Sequence, residues 1–144
     1  AAVGASMGNV GSSVPSGRVY VYRRNSSAWV LESTLVAPSP AAGDKFGASV
    51  AIASGRIVVG VQEDHLTGGG SVRIFERISN AWTQTASLVP SDLGPGDFFG
   101  NSVSADGDLV AVAARREMFS RRRHADRQRI YARTVGREHH LWHH

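Results

Sequence analysis

Cysteine is absent from the 144 residues, so the chain has neither a disulfide framework nor a thiolate metal site, and its redox compartment is left open. No stretch reaches the ~18 consecutive apolar residues that a membrane-spanning helix needs. The first residues hold no basic region followed by an apolar one, so no signal peptide is visible and a soluble chain is expected. Helical periodicity is missing as well. Glycine, in contrast, is plentiful: 16 residues, mostly spaced between short Val-rich and aromatic runs, as in proteins of many short strands joined by tight turns. A chain of this length can bury one modest core.

Charge is distributed unevenly. The total is +4, yet residues 1–114 hold seven basic and nine acidic side chains, whereas residues 115–144 hold nine Arg against three acids. Five of the six His also lie in that second segment. Arg121-Arg122-Arg123-His124, with Arg127, Arg129, Arg133 and Arg137 behind it, is a pattern able to contact phosphates on nucleic acid or an anionic surface. Interleaved aromatics are few, and no Lys accompanies the Arg. The closing His139-His140 and His143-His144 pairs lack an evident scaffold for a metal.

An internal repeat organises the first segment. Gly17 recurs as Gly70, Trp29 as Trp82, Leu35 as Leu88, Gly43-Asp44 as Gly96-Asp97, and Phe46-Gly47 as Phe99-Gly100, each pair 53 positions apart. Within a unit the period is that of strands. Val19 and Val21, like Val72 and Ile74, alternate onto one face, and the run from Ala28 to Leu35 follows a turn at Asn25-Ser26-Ser27. Pro38 to Gly43 then breaks regular structure. Phe46 to Ile52 and Ile57 to Val61 make a second hairpin across Ser54-Gly55, copied at Asp106-Gly107. Four strands per 53 residues without a helix predict an all-β fold of four-stranded antiparallel propeller blades.

Phe46-Gly47-Ala48-Ser49-Val50-Ala51 through Val58-Val59-Gly60-Val61 and on to Gly70-Ser71-Val72-Arg73-Ile74-Phe75 resembles the FG-GAP repeat of integrin-like β-propellers. Phe99-Gly100-Asn101-Ser102-Val103 through Ala113-Ala114 is similar, and Ala2-Val3-Gly4-Ala5 resembles the end of an earlier segment. The resemblance covers residues 1–114. It departs at Gly60-Val61-Gln62 and Ala113-Ala114-Arg115, which lack the Gly-Ala-Pro ending. It implies an incomplete propeller: a partial blade at about 1–37, a whole one at about 46–89 and another partial one at about 99–114. The repeat also predicts a Gly-initiated strand near Arg123. A shifted reading frame, a truncated gene or a decayed repeat accounts for its loss, so 115–144 is expected to be disordered or out of register.

Candidate chemistry is sparse. The resemblance implies a calcium loop inside the Phe-Gly hairpin, but that loop has shrunk to Ser54-Gly55 and to Asp106-Gly107-Asp108, too few carboxylates for six oxygens, so no calcium or other cofactor is expected. Gln62-Glu63-Asp64-His65 gathers two carboxylates beside an imidazole without a nucleophile, and reads as a solvated loop. The Gly68-Gly69-Gly70 run enters a strand and is no phosphate loop. Asp44 and Asp97 read as turn formers, Phe46 and Phe99 as plugs between blades, and the repeated Trp29 and Trp82 as packing residues. Asn25-Ser26-Ser27 satisfies the N-glycosylation sequon.

No residue constellation supports catalysis. By resemblance, the chain is expected to be an interaction or adhesion scaffold, extracellular or at the cell surface, whose loops 6–16 and 62–69 meet a protein or glycan. Unpaired blade faces favour self-association, because this chain alone cannot close a ring of about seven blades. The rival readings are an Arg-rich tail that binds nucleic acid or anionic surfaces, and a non-functional fragment of a longer propeller protein.

Overall fold

Alternating β-branched and aromatic residues, interrupted by Gly- and Ser-containing turns, make every regular element among the described residues of the computed structural model a strand. The structure describes residues 1–10, 14–116 and 127–134. In chain order these hold β1 (Ala2–Ala5), β2 (Asn9–Val10), β3 (Val14–Pro15), β4 (Arg18–Asn25), β5 (Ala28–Leu35) and β6 (Phe46–Ala53). There follow β7 (Arg56–Val61), β8 (Ser71–Ile78), β9 (Ala81–Leu88), β10 (Ser102–Asp106), β11 (Leu109–Arg116) and β12 (Arg127–Thr134). Within the sheets these strands pair antiparallel, and two isolated parallel bridges, Gly17 to Phe46 and Gly70 to Phe99, link one sheet to the next. Three main sheets result, ordered β1-β4-β5, β6-β7-β8-β9 and β10-β11-β12, while β2 and β3 form a small separate pair. The expected all-β fold with a four-stranded antiparallel sheet is thus observed.

The three sheets stack face to face, and β7 shows why. Its odd residues Ile57, Val59 and Val61 pack with Val19, Val21, Leu35 and Phe46, joining the first sheet to the second. Val58, on the opposite side of the pleat, packs with Val72, Ile74, Phe99, Val110 and Val112, joining the second to the third. One strand serves both neighbours, so an almost unbroken Val-rich run is needed there. The outer strands β5 and β9 remain largely exposed. Phe46 and Phe99 are fully buried, each worth about 1.5–3 kcal/mol of transfer free energy.

Backbones also meet directly between sheets. Phe46 N–H donates to the Ser16 carbonyl (2.8 Å) and Phe99 N–H to that of Gly69 (2.7 Å). A Cβ on Gly60 would run into the Gly100 carbonyl oxygen and the Ser49 hydroxyl, and one on Gly4 into the Gly47 carbonyl. Glycine at these positions is what lets adjacent sheets approach closely.

The Arg/His-rich segment is not uniform. Residues 127–134 form β12, antiparallel to β11. Its register departs from the repeat: Arg56 pairs with Glu76 in the second sheet, which would set Leu109 opposite Arg129, but Leu109 pairs with Thr134. Five more residues lie between the paired positions. Arg127, Arg129 and Arg133 accordingly belong to a sheet. The Arg121–His124 cluster and the closing His pairs fall outside the described residues.

Candidate functional site

Antiparallel order places the β1–β4 and β7–β8 connections, residues 6–17 and 62–70, at the same end of the stack as the β5–β6 and β9–β10 connections, 36–45 and 89–101. The opposite end carries short hairpins. Ser54 and Gly55, both at positive φ (48° and 73°), form the two-residue turn of β6–β7, and Gly107-Asp108 closes β10–β11. Asp108 there binds Arg56 across the sheet boundary (2.5 Å), and Arg56 also binds Glu76 (2.7 Å). Hydrogen bonds to Asp108 and Glu76 hold the guanidinium above its ordinary pKa.

The loop end is tied by two buried carboxylates. Gly43, at positive φ, turns the chain so that Asp44 accepts the Ala41 N–H (2.8 Å). Asp97 accepts the Gly94 N–H in the same way (2.9 Å), so both copies of the motif build the same turn. Asp44 reaches further: it accepts the His65 N–H (3.0 Å) and the His65 Nδ1 lies 2.9 and 3.0 Å from its two oxygens. Lys45 and Glu63 add an ion pair between the same two loops (2.5 Å).

Asp64 anchors the other side. Its carboxylate accepts the Leu66 N–H (2.9 Å), the Ser71 hydroxyl (2.5 Å) and the Arg73 guanidinium (2.5 Å). Burial pushes this carboxyl up, but the bonds from Ser71, Leu66 and Arg73 outweigh it and hold the group below the usual carboxylate value. The solvated-loop reading of Gln62–His65 holds for the exposed Glu63 and His65 but is corrected at Asp64, which is 2% exposed. The cause is Arg73 on β8, which draws the loop's carboxylate down onto the sheet.

Asp44, Asp64 and His65 offer ligand atoms within 4.8 Å of one another. Their oxygens already accept protein donors, and the Arg73 guanidinium supplies the positive charge that a cation would bring. Ser71, the hydroxyl of the cluster, is fully buried away from any substrate. The group works as a clasp under the loop face.

Two exposed apolar side chains mark this end of the stack. Met7 (66%) and Leu66 (63%) are the most exposed large hydrophobic residues among those described, one on the β1–β4 and one on the β7–β8 connection. A small cavity of about 50 Å³ opens beside Leu66, lined also by Ala37, Pro38, Asp44, Val61 and Arg73.

The remaining repeat residues divide, and the packing role expected of Trp29 is corrected by its exposure. Gly47 and Gly100 lie at the sheet boundaries, and Gly17 and Gly70 bridge to Phe46 and Phe99. Gly96 turns at positive φ like Gly43. Trp82 is half-buried against the first core, its Nε1 donating to Glu32 (3.4 Å), whereas Trp29 is 58% exposed. Asn25 is exposed at the end of β4.

The sequence model of the family described as FG-GAP repeat matches residues 29–75 and 82–130. Each match starts at the Trp-containing strand, crosses a sheet boundary and ends on or beside the third strand of the next sheet. The second extends past residue 114, where the resemblance read from the motifs stopped, into β12. No curated protein matches the chain.

Proposed function

The chain belongs to the FG-GAP repeat family, and on that premise we propose that it is a non-catalytic adhesion scaffold whose loop face binds a protein at the cell surface or outside the cell. The observation that carries the proposal is the placement of Met7 and Leu66. Two exposed apolar side chains lie on corresponding loops at one end of the stack, and the Leu66 loop is tied to its neighbours by the bonds of Asp44 and Asp64. Ordered loops lose little entropy on binding, which favours recognition. Family membership supports the extracellular setting, since such repeats are typical of extracellular proteins. No helix of the described residues is long and apolar enough to cross a membrane, and Asn25 is exposed enough to accept a glycan. Uncovered sheet faces support self-association as well.

The test is cell attachment to a surface coated with the chain. Leu66→Asp is expected to reduce attachment to that of an uncoated surface, while Ile52→Asp, an exposed position near the opposite end, leaves it unchanged. Equal attachment to both variants, or a wild-type chain no better than the bare surface, would overturn the proposal.

A further inference from the structure

The cavity beside Leu66 has a mouth and a floor of different chemistry. Pro38, Ser39 and Leu66 are exposed and frame its opening between the 36–45 and 62–70 connections, whereas Ala37, Val61 and the two carboxylates Asp44 and Asp64 lie buried beneath them. Arg73 of β8 lines it as well. One water needs about 10–15 Å³ of cavity, so the roughly 50 Å³ here holds a few non-hydrogen atoms and is too little for an aromatic ring.

The polar groups of this lining are not all paired. The Arg73 guanidinium meets Asp64 through Nη2 (2.5 Å), and its buried Nε–H is left without a hydrogen-bond partner. A carboxylate has about four acceptor positions. At Asp64 the Leu66 N–H, the Ser71 hydroxyl and Arg73 take three of them, so about one is left. The lining therefore holds a spare donor and a spare acceptor among the apolar side chains of Ala37, Val61 and Leu66. The repeat puts Tyr20 where Arg73 stands, so this chemistry belongs to the second sheet and not to the fold at large.

Charge and hydrogen bonding select the occupant. A cation would face Arg73, an anion would face two carboxylates, and a wholly apolar group would leave the buried Nε–H unpaired. A hydroxyl both accepts and donates, so it keeps the bonds of the solvent it displaces. We propose that this cavity receives the hydroxyl-bearing side chain of a serine or threonine on the protein that the loop face binds. The inference rests on the loop-face reading and adds what the partner presents there. Its Oγ accepts from Arg73 Nε–H and donates to the Asp64 carboxylate, a threonine methyl lies against Ala37 and Val61, and Leu66 meets the surface around it.

Two small probes test it on the whole chain. N-acetyl-threonine methylamide and N-acetyl-valine methylamide differ by a hydroxyl replaced with a methyl, and nuclear magnetic resonance follows the Arg73 Nε–H and the Val61 methyls as each is added. The threonine probe should give saturable shifts and bind at least about tenfold more tightly than the valine probe. Ala37→Val in the wall and Ser39→Phe at the exposed mouth should each abolish the response, with β-content checked by circular dichroism. Absence of a saturable shift, meaning a cavity that takes water only, equal binding of the valine probe, or binding undiminished in Ser39→Phe would each overturn the proposal. Tighter binding of a methyl glucoside than of the threonine probe would assign the cavity to a glycan and overturn it too. Leu66-dependent cell attachment without probe binding would remove this inference and leave the scaffold reading, whereas probe binding without attachment would keep the hydroxyl site and remove that reading.

Discussion

Gly60→Ala isolates the contact that holds one sheet against the next. Gly60 sits in β7 without a positive φ, so alanine meets no backbone strain there; its methyl meets the Gly100 carbonyl oxygen and the Ser49 hydroxyl instead. One obstacle is backbone, so relief requires the second and third sheets to separate. Over-packing of this kind costs about 1–3 kcal/mol. Loss of the Ser49 hydroxyl bond to the Gly100 carbonyl (2.8 Å) adds about 1 kcal/mol. Gly94→Ala is the control, because its added Cβ finds only an Asp97 oxygen at 3.6 Å. Both substitutions remove one glycine from the unfolded chain, so that entropy change cancels between them. The expected difference is about 2–4 kcal/mol, or a melting temperature lower by roughly 6–12 °C at about 3 °C per kcal/mol for this chain length. Thermal and urea melts followed by circular dichroism measure it. Equal stability of the two variants would refute close backbone stacking at Gly60.

Asp64→Asn removes the charge facing Arg73, and is expected to destabilise the chain by about 2–3 kcal/mol at neutral pH, measured by urea unfolding. Because the folded carboxyl titrates below its ordinary value, the stability it contributes is full above about pH 4 and is lost as pH falls through the folded value. The gap between wild type and variant should close in acid; a gap independent of pH contradicts the clasp. Arg56 and Asp108 bridge the second and third sheets with Asp108 mostly exposed, so a double-mutant cycle with Ala should return a coupling of at most about 1 kcal/mol that shrinks in high salt. A salt-insensitive coupling of several kcal/mol would mean that the pair is buried in solution.

Strands and their pairing were legible in the residues because alternation and the 53-residue spacing are local properties. The Phe46 and Phe99 positions followed from them. Asp64 was not legible: its partners Ser71 and Arg73 lie on the next strand, and only the return of the 62–70 loop onto β8 brings them within reach. Trp29 and Trp82 make the same point, since identical residues at identical repeat positions differ in burial according to the sheet beside them. The strand β12 starts at Arg127, past the position that the period gives, and the sequence has no glycine before it as Gly17 stands before β4 and Gly70 before β8. Spacing alone could not place it.

Hydrogen exchange tests the account most directly, since a rigid loop face on stacked sheets is its central claim. The amides of Glu63, His65, Leu66 and Gly68, bonded to Asp44 or Asp64, should be protected in step with those of β7 and β8. Exchange of these loop amides at the rate of unstructured chain, with β7 still protected, would contradict the clasp and the binding surface built on it.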